Sequence, residues 1–203
     1  MNPIDRLTTL FKTFPGIGPR QAERFVFHLL SQPDEYRNAL AKDILDMKRD
    51  IKQCPSCMRF FSGVPIECEL CRNTLRDKST LLVVAKDADL KSVERTKEYN
   101  GHYFVLGGLI PILDKEPEQK IRINELTRKI ERNQELKEIV FALNLNPEGE
   151  YTREFVEHAL RPITSARGIT LSGLGRGLST GSEIEYSDSE TLKSALANRT
   201  KEA

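Results

Sequence analysis

A chain of 203 residues, 38% hydrophobic and 30% charged, has room for one medium domain with small modules or for two domains, and its composition is that of a globular protein. No apolar run approaches the ~20 residues that cross a bilayer, and Met1-Asn2-Pro3-Ile4-Asp5-Arg6 has neither the basic start nor the apolar stretch of a secretion signal, so a cytoplasmic location is expected. A formal net charge of +1 excludes a histone-like coat and leaves only local basic patches: nine Lys/Arg stand against seven Asp/Glu in residues 1–53, and fourteen against fifteen in 79–174.

Residues 1–53 read as helical. Ile4, Leu7, Leu10, Phe11 and Phe14 recur at helical spacing, and Ala22, Phe25, Val26, Leu29 and Leu30 resume the stripe after a break. A further helix fits Tyr36 to Ile51, with Leu40, Ile44, Leu45 and Met47 as its apolar side. The break is Phe14-Pro15-Gly16-Ile17-Gly18-Pro19-Arg20. Gly16 and Gly18 allow a tight turn and close backbone approach, Ile17 can plug between the helices, and Pro19 suits a first helical turn, where its missing N–H costs nothing. The free N–H groups of that turn form an anion site, and Arg20 and Arg24, four apart, share a face from which to flank a phosphate. This is the pattern of a helix-hairpin-helix that grips the DNA backbone without reading bases. The plainer alternative is a turn between two helices, and Gly-x-Gly alone does not decide between them.

Residues 54–71 hold all four cysteines, Cys54-Pro55-Ser56-Cys57 and Cys68-Glu69-Leu70-Cys71, as two C-x-x-C pairs ten residues apart. Each pair bends the chain so that both sulfurs face one point, as a tetrahedral zinc site requires, although the separation is shorter than the ~15–20 residues common in zinc ribbons. Two disulfides or four free thiols are the alternatives; a cytosolic chain disfavours the first, and the matched pairing disfavours the second. Four protein ligands leave no position for water, so the zinc is expected to be structural, and the small module is expected to need it to fold.

From about Thr80 short apolar runs alternate with amphipathic stretches. Strands are expected at 81–85, 102–106, 138–143 and 169–171, with helices at 88–99, 121–136 and 152–160 between them. That alternation predicts a mostly parallel sheet with helices on its faces. From Gly173 the chain is Gly/Ser-rich and ends in a short helix near Glu190 to Asn198.

A hairpin, a four-cysteine module and an α/β domain in that order resemble the RecR family of recombination mediators. The resemblance rests on the 14–20 hairpin and the cysteines. It rests also on Tyr103-Phe104-Val105-Leu106-Gly107-Gly108, on Pro147-Glu148-Gly149-Glu150, and on Arg176-Gly177-Leu178 followed by Gly181-Ser182-Glu183-Ile184-Glu185-Tyr186-Ser187-Asp188. It covers essentially the whole chain. It implies an α+β, multi-module architecture: helix-hairpin-helix (1–53), zinc finger (54–71), Toprim domain (79–174), and a C-terminal Walker-B-like docking or oligomerisation segment (175–203). It further implies a non-enzymatic DNA clamp in recombinational repair, a homo-oligomeric ring (a tetramer), a cytoplasmic and nucleoid-associated location, and action with the RecO and RecF proteins to load recombinase on gapped or single-stranded DNA.

Departures from the family pattern bear on chemistry. Active Toprim enzymes carry a glutamate after the first strand and paired acids after a later one. Ala85-Lys86 stand here where the RecR family usually has Glu then Ser, whereas Glu148 and Glu150 remain. Two carboxylates hold magnesium only weakly, and a two-metal mechanism lacks a ligand. Glu148 and Glu150 have two readings of equal standing: a solvated loop before a helix, where acids favour the helix start, or the face that meets RecO, as the resemblance implies. Ser179 and Ser182 replace the family's usual Pro and Gly, which bears on the local turn. There is no Gly-x-x-x-x-Gly-Lys-Ser/Thr in the chain, so nucleotide hydrolysis has no support. A diverged nuclease and a pure interaction scaffold are the competing classes; Ala85 argues against the first and the two hairpin arginines against the second.

Overall fold

The computed structural model of the chain describes residues 2–175, 177–178 and 181–199, and the chain divides into two units, residues 1–52 and 53–203.

The first unit is helical: α1 (Pro3–Phe11), α2 (Pro19–Ser31) and α3 (Asp34–Asp50). The Asn2 side chain caps α1 by accepting the Asp5 N–H at 2.9 Å, with Pro3 in the first helical position. Helices α1 and α2 meet through Phe11, whose ring lies edge-on to those of Phe14 and Phe25, each 5.7 Å away. Ala22 and Val26 of α2 are buried. Arg37 pins the α2–α3 corner by donating to the Leu29 carbonyl at 3.3 Å, and also to the Gln32 carbonyl and the Asp34 carboxylate. The apolar side of α3 is where periodicity placed it, but Leu40, Ile44, Leu45 and Met47 are all exposed.

Strand β1 (Ile51–Gln53) spans the division between the units, and the second unit continues with β2 (Phe60–Ser62) and the short α4 (Glu69–Arg72), which with β1 flank the cysteines along the chain. There follow β3 (Asp77–Val84), α5 (Asp87–Thr96), β4 (Gly101–Val105), α6 (Pro117–Lys120), α7 (Ile123–Arg132), β5 (Glu138–Ala142), α8 (Pro147–Arg167) and β6 (Thr170–Gly173). The last four strands form one sheet in the order β4-β3-β5-β6, parallel throughout. Alternation along the strands sends side chains to two cores. Leu81, Val83, Phe104, Ile139 and Phe141 meet Ile123, Leu126 and Ile130 of α7 and Val156 and Leu160 of α8 on one face. Leu82, Val84, Tyr103 and Val105 meet Leu90 of α5 on the other. On that second face Arg76 bonds both oxygens of Glu94 at 2.8 and 2.7 Å, lies 5.5 Å from the Tyr103 ring, and so ties the approach to β3 to α5. A 3-10 turn (Ile184–Tyr186) and α9 (Ser189–Ala197) end the described chain.

The expected alternation of strands and helices is present, but several bounds differ for local reasons. Helix α8 begins at Pro147, not 152, because the Asn146 side chain accepts the Gly149 N–H at 2.9 Å and starts the helix there. It also runs on through Pro162 to a left-handed stop at Gly168, since Val156, Leu160 and Thr164 keep it packed on both sides of the proline. Helix α7 stops at Arg132, where the Asn133 N–H turns back to the Ile130 carbonyl at 3.2 Å. Elements as short as β1, β2, α4 and α6, three or four residues each, leave no period to read. Arg176 and Ser179 of the C-terminal motif lie outside the described residues.

Burial predicts the stability ranking. Phe104→Ala, at a fully buried position, should cost about 3–5 kcal/mol. Leu113→Ala, where 93% of the residue is exposed, should stay within about 0.5 kcal/mol of wild type. Urea denaturation midpoints check the pair, and equal midpoints would refute the assigned core.

Candidate metal centre and nucleic-acid interface

The four cysteines converge. Their sulfurs all lie within 4.8 Å of one another, with Cys54, Cys57 and Cys68 buried and Cys71 half-buried. Local backbone produces this. The Cys54 N–H donates to the Arg59 carbonyl at 2.9 Å and the Met58 N–H returns to the Cys54 carbonyl at 2.8 Å, a tight loop that requires Met58 at φ +62°. The second knuckle is the start of α4, where the Arg72 N–H bonds the Cys68 carbonyl at 3.1 Å. Arg59, little exposed, joins the knuckles through Glu69 at 2.7 Å.

Sulfur spacing and acidity both fit a cation. Cys57 Sγ and Cys68 Sγ are 3.6 Å apart, close to the ~3.8 Å edge of a tetrahedron with metal–sulfur bonds of ~2.3 Å. The Cys68 N–H donates to Cys54 Sγ at 3.4 Å, the kind of bond that orients a thiolate ligand toward its metal. Hydrogen bonds from Cys57, Cys68 and Cys71 draw the Cys54 thiol well below the ordinary range, and the Cys54 contact pushes Cys57 up in turn. Four crowded sulfurs therefore cannot all ionise by themselves; a divalent cation removes the conflict by taking them all as thiolates. The arrangement is a four-cysteine metal-binding cluster with no fifth protein donor required.

The cluster also builds the sheet. Strand β4 is an edge strand, and the Cys57 carbonyl accepts the Val105 N–H at 2.9 Å, covering an otherwise open edge. Arg122 reaches across from the turn before α7 to the carbonyls of Val105 (3.1 Å) and Met58 (3.3 Å). Asp87 in the first turn of α5 accepts the Phe60 N–H at 2.8 Å, and Leu70 packs against both the cysteines and the α5-side core. Met58, Asp87 and Arg122 escaped the sequence reading because their partners lie far along the chain and no local spacing marks them.

The hairpin is formed as expected around Gly16, which sits at φ +76°, a conformation that favours glycine. The Ile17 N–H bonds the Phe14 carbonyl at 3.1 Å, and Ile17 is half-buried. Gly18 is the N-cap of α2 in an extended conformation, with Pro19 at the first position. The first N–H satisfied inside the helix is that of Ala22, donated to the Gly18 carbonyl at 3.0 Å, which leaves those before it directed out of the helix start. Arg20 and Arg24 are both exposed on the first two turns of α2, and among the described residues Arg24 makes a long 3.5 Å contact to Gln21.

At the C-terminal ends of the sheet strands, Ala85 is buried and Lys86 exposed. Lys86 is the N-cap of α5, and its N–H donates to Asp89 at 2.8 Å. Glu148 and Glu150 lie in the first turn of α8 rather than in a loop, and both are exposed. Gly149 between them is buried against the Asn144 carbonyl: a Cβ there would lie 1.9 Å from that oxygen. Among the described residues, the cysteine quartet is the group of three or more Cys, His, Asp or Glu whose donor atoms converge, so the two glutamates are not joined by a third carboxylate. Asp188 caps α9 by accepting the Thr191 N–H at 2.8 Å.

A parallel four-stranded domain preceded by a helical hairpin and a four-cysteine cluster defines a Toprim-domain protein with a helix-hairpin-helix module. Residues 79–170 match the Toprim domain family, residues 4–48 the family described as RecR, helix-hairpin-helix, and residues 177–200 that described as RecR, C-terminal. Among curated relatives, Recombination protein RecR of Gloeothece citriformis is 38% identical over 197 residues, covering 97% of this chain and 95% of the relative. That of Synechococcus sp. (strain JA-3-3Ab) is 41% identical over 197 residues, covering 97% and 96%, and that of Lactobacillus acidophilus is 36% identical over 198 residues, covering 98% and 96%. The chain belongs to the RecR family of recombination proteins, which places it in recombinational repair.

Gly149→Ala should disturb the start of α8, since the methyl group can be accommodated only by moving the Asn144 backbone. We expect a destabilisation of about 1–3 kcal/mol, read by thermal and urea unfolding. An unchanged midpoint would show that the Glu148–Glu150 turn is not built as described.

Proposed function

We propose that this protein is a non-enzymatic clamp that holds the DNA backbone and acts with the RecO and RecF proteins to load recombinase on gapped or single-stranded DNA. The open start of α2 carries the reading: outward N–H groups beside Arg20 and Arg24 can hold a phosphate without reading a base. With a net charge of +1, one copy neutralises few phosphates, so avidity from several copies in a ring, a tetramer by family resemblance, supplies the affinity. The exposed Leu40, Ile44, Leu45 and Met47 of α3 support a subunit contact. The protein acts in the cytoplasm, in association with the nucleoid.

The cysteine cluster holds zinc, which thiolates favour, and the metal is structural: when bound, it fixes the two knuckles and with them the covered edge of β4. The exposed Glu148 and Glu150 form a partner-binding face, addressed by RecO, and hold magnesium at most weakly. Ala85 places a methyl group where Toprim chemistry needs a carboxylate, which supports a binding role over catalysis.

Two experiments test the reading. Arg20→Ala with Arg24→Ala should weaken binding to all DNA sequences alike and lower the salt slope by about 2, one unit for each phosphate that is no longer neutralised; an unchanged slope would remove the hairpin as the grip. Cys57→Ser, or zinc chelation of the wild type, should lower the melting temperature of the 53–203 unit and release about one zinc per chain. Wild-type protein that contains no metal and melts normally would rule out zinc.

A further inference from the structure

A groove of about 630 Å³ runs between α7 and the first cysteine knuckle, within the second unit. Helix α7 supplies Arg128, Lys129 and Arg132, the knuckle supplies Ser56, and His102 and Lys78 line it from the sheet side. Lys129 donates to the Ser56 hydroxyl at 3.1 Å, which draws its ammonium across the groove. Arg128 and Arg132 stand one turn apart and exposed, and neither has a carboxylate within ion-pair distance among the described residues. Three acids also line the groove; Glu135 is paired with Lys78 at 3.5 Å, which leaves three cations facing Glu67 and Glu125. The His102 imidazole is held below its ordinary range, chiefly by burial and then by Lys129, Arg76 and Lys78, with Asp77 opposing them.

We propose that this groove is a second phosphate-binding site that takes the backbone of a nucleic-acid strand. Two guanidiniums one helical turn apart, each without an ion pair among the described residues, with the Lys129 ammonium in the same groove, match a ligand whose charges repeat, and guanidinium binds phosphate oxygens in a bidentate fork. A protein partner would need an apolar anchor, and Pro55 and Met58 are the apolar side chains of the lining. One wall is the Cys54–Cys57 knuckle, so the metal cluster shapes the groove as well as the sheet edge. The site rests on the nucleic-acid reading above but not on the hairpin, which lies in the other unit.

The test uses metal-loaded full-length protein and a labelled single strand and duplex across a salt series. It compares wild type, Arg128→Ala/Arg132→Ala, Arg20→Ala/Arg24→Ala, and a charge-matched control, Lys91→Ala/Lys115→Ala. The groove variant should bind about tenfold more weakly with a salt slope lower by about 2, at unchanged zinc content and melting temperature, while the control stays near wild type. Arg128→Lys/Arg132→Lys should recover most of the slope. Groove and control variants that behave alike overturn the site, and weakened binding in Arg20→Ala/Arg24→Ala alone overturns it while leaving the hairpin reading intact. Wild type that binds no DNA overturns both. Inorganic phosphate that binds wild type by calorimetry, with DNA affinity unchanged in the groove variant, assigns the groove to a small phosphorylated ligand and overturns the strand.

Discussion

Four sulfurs held within 4.8 Å of one another are the constraint on which the second unit is built. A cluster of that density cannot carry four charges without a cation, and only a folded loop at Met58 and a helical start at Cys68 bring the sulfurs together. Because the Cys57 carbonyl accepts the Val105 N–H, the same few residues also satisfy a backbone donor on the outer edge of β4. Arg122 and Asp87 extend the coupling to the turn before α7 and to α5. A small module with a single well-buried aromatic, Phe61, thereby becomes part of a much larger core.

The arrangement separates tasks. The Toprim sheet, buried on both faces, provides rigidity, and the buried Ala85 follows the end of β3. The helical unit provides an open helix start and two arginines, and buries little of its own apolar surface: among the described residues only Ala22 and Val26 are buried there. A unit so thin in core of its own gains stability from a covering partner.

Much of this was legible along the chain. The two C-x-x-C pairs announced the metal cluster because zinc ligands are brought together by local turns. Pro-Gly-Ile-Gly-Pro announced the hairpin because Gly16 needs a positive φ and Pro19 a first helical turn. Runs such as Leu81-Leu82-Val83-Val84 announced buried parallel strands. The start of α8 was not legible, since Asn146-Pro147-Glu148-Gly149 looks like a loop until the asparagine side chain is seen to cap it. Placing Glu148 and Glu150 on a helix rather than a loop changes what they can face.

What the amino-acid order determined by itself was therefore whatever depends on neighbours within a few residues: knuckles, caps, turns and the period of apolar side chains. Tertiary structure alone decided the strand order β4-β3-β5-β6, the docking of the knuckle on the edge of β4, and the meeting of Ser56 with Lys129 73 residues away. Those contacts form between segments with no shared local signal. Each is selected only when the sheet packs and the remaining backbone and side-chain polar groups find the partners that the fold brings near.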